Sequence, residues 1–110
     1  MAYDERLAAR VREIIGPRPG VAERKMFGGM AWMVGGNMAC GVMGDDLVVR
    51  MAPEDTEDAR REAHVHEFGR PGARPMRGFV RVEGEALGDD GELAGWVDAA
   101  ASHAASLPPK

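Results

Sequence analysis

The fold is decided by the stretch from Lys25 to Met51, KMFGGMAWMVGGNMACGVMGDDLVVRM. Its apolar runs are separated by Gly-Gly, Gly-Gly-Asn and Gly-Asp-Asp. Short apolar runs joined by two or three Gly, Asn or Asp residues are typical of antiparallel strands connected by tight turns. The stretch therefore predicts an antiparallel meander, with strands over about residues 23–27, 30–34, 37–43 and 46–51.

Both faces of this predicted meander carry apolar residues. Strict alternation assigns the third strand to two faces, with Met38, Cys40 and Val42 on one and Ala39, Gly41 and Met43 on the other. A sheet with one apolar face and a second, half-apolar face of small residues usually packs on a helix or on a second subunit. The pattern by itself leaves both outcomes open.

Helical patterns flank the meander. Asp4 is a candidate cap for a first helix that ends near Ile15, before Gly16 and Pro17. A polar helix is expected over about residues 54–62, after Pro53. A last helix begins at Asp89 or Asp90, and a frayed tail is expected from about Leu107.

Two further strands are predicted between the second and third helices. One is a short apolar piece around Val65 and Phe68, and the other covers residues 79–82. Counting the meander as three or so strands, we expect the element order α-β-β-β-α-β-β-α, with an antiparallel sheet of about five strands and helices packed on it. Hairpin-length connections make this fold α+β rather than α/β.

Length and composition indicate one small globular domain. The 110 residues leave room for a single core, so residues 1–110 form one domain, ordered over about residues 4–105. No apolar run approaches the roughly 20 residues needed to cross a bilayer, and the first residues lack a secretion signal. With one cysteine and no internal disulfide, a cytoplasmic location without membrane contact is expected.

No group of residues has the pattern of an active site. His64 and His66, with Glu62 or Glu67, are the only candidate metal ligands, and a surface histidine pair is the simpler interpretation. Cys40 lies in an apolar strand, where burial raises the pKa of a thiol and keeps it unreactive. We therefore predict no catalytic residue, no metal site and no cofactor.

Two surfaces are candidates for binding. An apolar patch of Phe27, Met30, Trp32 and Met33 is a candidate protein interface, because methionine adapts to varied apolar partners, although such residues also fill cores. Arginines in and after a Gly- and Pro-rich loop are candidate contacts to phosphate or nucleic acid, although a net charge of −4 does not favour such a partner. These arginines are Arg70, Arg74, Arg77 and Arg81.

Four short motifs resemble a known family. They are Arg24-Lys25-Met26-Phe27-Gly28-Gly29, Asp45-Asp46-Leu47-Val48-Val49-Arg50, Arg74-Pro75-Met76-Arg77-Gly78-Phe79 and Glu92-Leu93-Ala94-Gly95-Trp96. Through them, residues 4–105 resemble the N-terminal domain of the TfoX/Sxy family of bacterial competence regulators. The resemblance implies a secretion-chaperone-like α+β domain and an association with transcriptional regulation. The full-length regulators also carry a C-terminal domain, which these residues do not include.

The leading hypothesis is a small non-enzymatic interaction module. It would bind a protein partner, or a second copy of itself, through the sheet face or an edge strand. The alternative is an accessory nucleic-acid-binding protein that uses the arginines of residues 70–81.

Overall fold

The computed structural model describes residues 3–26, 28–69 and 77–110 of the chain. In chain order the elements are α1 (Glu5–Ile15), β1 (Val21–Met26), β2 (Gly29–Val34), β3 (Asn37–Met43), β4 (Asp46–Arg50), α2 (Thr56–Ala59), β5 (Val65–Glu67), β6 (Phe79–Val82) and α3 (Asp90–Ser106). Two 3-10 turns, Pro53–Asp55 and Gly84–Leu87, precede α2 and α3. No helix among the described residues is long and apolar enough to span a bilayer.

All six strands form one antiparallel sheet in the order β1-β2-β3-β4-β6-β5. The α+β class and the antiparallel meander predicted from the glycine turns are confirmed, with six strands in place of about five. The turns are tight because Gly35, Gly36 and Gly44 adopt positive φ angles, which side chains with a Cβ rarely take. The sheet ends in β1 on one side and in the three-residue β5 on the other.

The two long helices begin at the predicted caps. The Asp4 carboxylate accepts hydrogen bonds from the backbone N–H groups of Arg6 and Leu7 at 2.9 and 3.1 Å. Asp89, rather than Asp90, caps α3 by accepting from Glu92 N at 2.8 Å. Each cap satisfies backbone donors that have no partner within the helix.

The segment after β4 is less regular than its composition predicts. A helix was expected over about residues 54–62, but the chain forms a 3-10 turn and then a single helical turn, Thr56–Ala59. None of the residues of these two elements is buried, so no tertiary packing extends the helix.

The helices pack on one face of the sheet, here called the core face. Buried side chains of α1 and α3 belong to the cluster that covers it, and Ala59 of α2 is partly buried against that cluster. The strands contribute alternate residues, among them Trp32, Val42, Leu47 and Val80, each at most 1% exposed. The opposite face, here called the open face, carries the strand residues that alternate with these core residues.

A β-bulge in β3 determines which side chains reach the core. Trp32 pairs with Cys40, but Met33 pairs with Met38, so Ala39 is an extra residue in the ladder. Ala39 and Cys40 are both fully buried in the core cluster. Because the alternation shifts at this point, Met38 lies on the open face, and the predicted grouping of Met38 with Cys40 is wrong.

Residues 107–110, for which the sequence predicts a frayed tail, contact the turn between β2 and β3. The Asn37 side-chain amide donates to the Pro108 carbonyl oxygen at 3.0 Å, and Lys110 N donates to Gly35 O at 2.8 Å. Asn37 is only 4% exposed, so this contact satisfies a polar group that burial would otherwise leave unpaired.

Candidate interaction surface

The open face carries an apolar band along one end of the strands. Met33 on β2 pairs with Met38 on β3, and Arg50 on β4 pairs with Phe79 on β6. Arg50 continues the row from Met38, since its guanidinium lies 3.5 Å from the Met38 carbonyl oxygen. Phe68 completes the row beside Phe79, with ring centroids 6.2 Å apart. All five of these residues are partly buried.

Arg50 lies flat within this band. Its guanidinium carbon is 5.4 Å from the centroid of the Phe79 ring, which is the geometry of a cation–π contact. The arrangement keeps the charge at the surface while the methylene stem adds to the apolar area. The band therefore combines four apolar side chains with one cation.

The middle of the open face is lined by small residues beneath methionines. Ala31 pairs with Gly41, and Gly41 pairs with Val48. Ala31 is 2% exposed and Val48 is fully buried, although both lie opposite the helices. The Met38 Cε atom lies 3.2 Å from the position of a Cβ on Gly41, so this methionine folds over the glycine. Among the described residues, Met38 thus covers part of this face.

Charged residues occupy the other end of β4, β5 and β6. Arg81 forms an ion pair with Asp46, and His66 Nε2 lies 2.8 Å from a Glu83 carboxylate oxygen. The hydrogen bond with His66 holds the pKa of Glu83 below its usual range. His64 Nδ1 is farther away, at 3.8 Å from the same oxygen. The carboxylates of Asp46 and Glu83 are therefore already paired.

The four residues of the predicted protein interface do not form one surface. Met30 and Trp32 are 7% and 1% exposed and belong to the core against the helices. Met33 lies on the open face, and Phe27 is outside the described residues. The predicted patch joined neighbouring apolar residues without regard to alternation, and β2, which is apolar on both faces, gives no local signal of which face the helices cover.

The predicted arginine group is only partly described. Arg70 and Arg74 lie outside the described residues. Arg77 is exposed in the turn before β6, and Arg81 is held by Asp46. A pairing of this kind reduces the charge that Arg81 offers to a phosphate.

The remaining candidate residues have structural roles. Glu67 pairs with Arg60, and no group of three His, Cys, Asp or Glu side chains within the described ranges is arranged to hold a metal ion. Cys40 is fully buried, and desolvation raises the pKa of its thiol to about 12. At neutral pH this thiol is protonated and a poor nucleophile.

A cleft of about 400 Å³ lies at the amino end of α1, opposite the open face. Arg6 and Arg10 line it together with carboxylates of Asp4, Asp45 and Glu85. Arg10 also donates to Asp90 at 2.9 Å. The mixture of opposite charges gives the cleft no preference for one ligand charge.

Of the residues that make the apolar band, sequence reasoning identified only Met33. The alternation grouped Met38 with Cys40 because the bulge leaves no mark in the pattern. Phe68 follows β5 directly and Phe79 begins β6, so the two rings are brought together by strands that 11 residues separate. One available signal was the alternation of Phe79 and Arg81 with Val80 and Val82, which places an aromatic and a cation on one face of β6.

The chain was compared with known proteins. The family model described as the TfoX N-terminal domain matches residues 13–104, from the last turn of α1 through all six strands and into the last turn of α3. The chain has no significant match among curated proteins or among solved structures. Since the matched region covers most of its length, the chain belongs to the TfoX N-terminal domain family, as the Met-Phe-Gly-Gly motif and its context predicted.

Proposed function

We propose that this chain is a non-enzymatic, cytoplasmic interaction domain that binds an acidic, amphipathic segment of a protein partner on its open face. The observation that carries the proposal is the apolar band of Met33, Met38, Phe79 and Phe68 around Arg50. The helices leave this band uncovered, since they pack on the core face.

The chemistry of the band suits an adaptable docking surface. Methionine side chains are flexible and polarizable, so they fit apolar groups of different shapes. Continuous apolar area on a protein surface is typical of interaction sites. Met38 already folds over Gly41, and a partner's side chain could take its place at little steric cost.

The charges on the open face favour an acidic partner. Within the described ranges, neither Arg24 on β1 nor Arg50 on β4 forms an ion pair with a carboxylate. The carboxylates of Asp46 and Glu83 are already paired with Arg81 and His66. The chain as a whole carries a net charge of −4, so the positive character is local to this face.

The length of the band sets the size of the partner segment. The band crosses five neighbouring strands from β2 to β5, and four inter-strand spacings of about 4.8 Å make it about 19 Å long. A helix with a rise of about 1.5 Å per residue covers this length in roughly 13 residues. An amphipathic helix with acidic residues beside its apolar stripe therefore fits the surface.

A phage-displayed peptide library tests the proposal. The intact domain serves as bait, and selected peptides are then measured against Met38→Glu and against Ala99→Glu, which adds the same charge on an exposed position of α3. We expect peptides with an apolar stripe and acidic flanks that bind Ala99→Glu normally and lose roughly tenfold or more in affinity for Met38→Glu. Peptides that bind both variants equally, or a selection that enriches none, would refute the proposal.

The nucleic-acid alternative has a separate test. Fluorescence anisotropy of a labelled mixed-sequence duplex is measured at low and physiological salt with the wild-type chain and with Arg77→Ala/Arg81→Ala. The interaction-domain proposal predicts no salt-dependent binding. Steep salt-dependent binding that the double substitution weakens would establish the nucleic-acid alternative in its place.

A further inference from the structure

One outer edge of the sheet is formed by β1, whose outward backbone groups have no hydrogen-bond partner among the residues that the structure describes. Gly35 N donates to Gly20 O at 3.2 Å at the start of the β1–β2 ladder, and the register is continuous from Val21 to Met26. In an antiparallel ladder, hydrogen-bonded and non-hydrogen-bonded pairs alternate. The backbone groups of Val21, Glu23 and Lys25 therefore point away from β2.

No described element covers the middle of this edge. Residues 22–25 are all exposed, and β1 packs mainly on β2 within the described part of the chain. Many proteins protect such an edge with charges of one sign or with a covering element. Here the exposed residues Glu23, Arg24 and Lys25 carry opposite charges within three positions.

We propose that β1 pairs with β1 of a second copy, antiparallel and about a two-fold axis that passes through Arg24. In this register Glu23 of each copy lies opposite Lys25 of the other, and both residues present their free backbone groups to the partner. Ala22 lies opposite Met26 of the second copy.

Other two-fold registers are less favourable. Centring the axis on Glu23 or on Lys25 brings like charges directly opposite each other, which is destabilising in a sheet. Centring it on Ala22 shortens the overlap and leaves Lys25 without an acidic partner. The Arg24 register alone forms two opposite-charge pairs, and its single like-charge pair is between long arginine side chains that can splay apart on the open face.

Glu23 is held in position for this contact. Its carboxylate accepts hydrogen bonds from Arg12 Nε at 2.7 Å and from Trp32 Nε1 at 2.8 Å. These bonds fix the side chain at the edge before the second copy arrives, which reduces the ordering cost of association. The Glu23 side chain remains 35% exposed, and its Oε2, which accepts only from Arg12 Nη2 at 3.1 Å, can accept a further bond from Lys25 of the second copy.

The pairing would join two six-stranded sheets into one sheet of twelve strands, with the helices of both copies on the same side. The open faces would then be continuous, and Met33 and Met38 of each copy would lie on either side of the axis. The β1 edge contains none of the residues of the apolar band on which the proposed function rests, so either proposal can fail while the other holds.

Single cysteines test the register. In the proposed dimer the two Arg24 residues form a non-hydrogen-bonded pair with Cα atoms about 4.5 Å apart, within the range of a disulfide. The two Ala22 residues would be about 14 Å apart along the strands. We expect Arg24→Cys to form a disulfide-linked dimer under mild oxidation and Ala22→Cys to remain monomeric on a non-reducing gel. Native Cys40 is fully buried and does not interfere.

Sedimentation of the wild-type chain over a wide range of concentration provides the second measurement. Lys25→Pro removes one outward N–H without breaking the ladder to β2, and Lys25→Ala retains that N–H as the matched control. We expect a concentration-dependent wild-type dimer and a dimer dissociation constant roughly tenfold or more higher for Lys25→Pro than for Lys25→Ala. A strictly monomeric wild-type chain, or equal crosslinking of the two cysteine variants, would overturn the proposal.

Discussion

The hydrogen bond between Trp32 and Glu23 predicts a specific stability loss. Trp32 is 1% exposed, and its indole N–H donates to the Glu23 carboxylate at 2.8 Å. Glu23→Ala removes this acceptor and leaves a buried donor unpaired, which costs about 1–3 kcal/mol. The same substitution breaks the exposed pair with Arg12, for which about 0.2–1 kcal/mol is typical. We therefore expect Glu23→Ala to lower the free energy of unfolding by about 2 kcal/mol.

Two further variants separate the contributions. Arg12→Ala breaks the ion pair but keeps the acceptor for Trp32, so it should cost less than about 1 kcal/mol. Glu23→Gln retains a carbonyl oxygen for the indole and loses only the charge, and it should resemble Arg12→Ala. The expected order of unfolding free energies is wild type, then these two variants, then Glu23→Ala.

Urea unfolding followed by far-ultraviolet circular dichroism measures these differences at pH 7. For a small domain the denaturant slope is about 1–3 kcal/mol per molar urea, so Glu23→Ala should lower the midpoint by about 1 M. The slope should not change, because the same surface is exposed on unfolding. A midpoint for Glu23→Ala equal to that of Arg12→Ala would show that Trp32 gains nothing from its acceptor and would refute the reasoning.

Three other predictions follow from single positions. The hydrogen bond from Arg12 holds the pKa of Glu23 below its ordinary value of 4.5. The stability advantage of wild type over Glu23→Gln should therefore be present above pH 4.5 and be lost as the pH falls through the lowered pKa. Urea unfolding at several pH values measures this difference. Gly41→Ala should lower the free energy of unfolding by about 1–3 kcal/mol, because its Cβ would lie 2.9 Å from the Met30 carbonyl oxygen. Gly95→Ala in α3, with open space around it, should raise the free energy of unfolding by about 0.5–1 kcal/mol. Thermal unfolding of the two variants measures both changes. Cys40 should be unreactive towards a thiol reagent at pH 8 in the folded chain and react at once in urea, and rapid reaction of the folded chain would contradict its burial.

Local chemistry explains the parts of the fold that the sequence predicted. Glycines at positive φ specify tight turns, and Asp4 specifies a helix start, because both act within a few residues. The antiparallel meander and α1 follow from these signals. The family resemblance has the same origin, since the Met-Phe-Gly-Gly motif spans the end of β1 and the start of β2.

The candidate surface was predictable only in part. Met33 was assigned to it from the sequence, whereas Met38, Arg50 and Phe79 come together through the bulge and through the pairing of β4 with β6. Such long-range pairing has no local signature, because strands far apart in the chain meet only when the whole sheet forms.

The amino-acid sequence by itself thus determined the class of fold, the turns, the caps and the family, since each depends on neighbouring residues. Tertiary structure alone decided which sheet face the helices cover, and therefore that Trp32 is core while Met38 is surface. The physical reason is that β2 and β3 are apolar on both faces, so alternation is equally satisfied by either orientation. The extra residue at Ala39 and the packing of α1 and α3 select one of them.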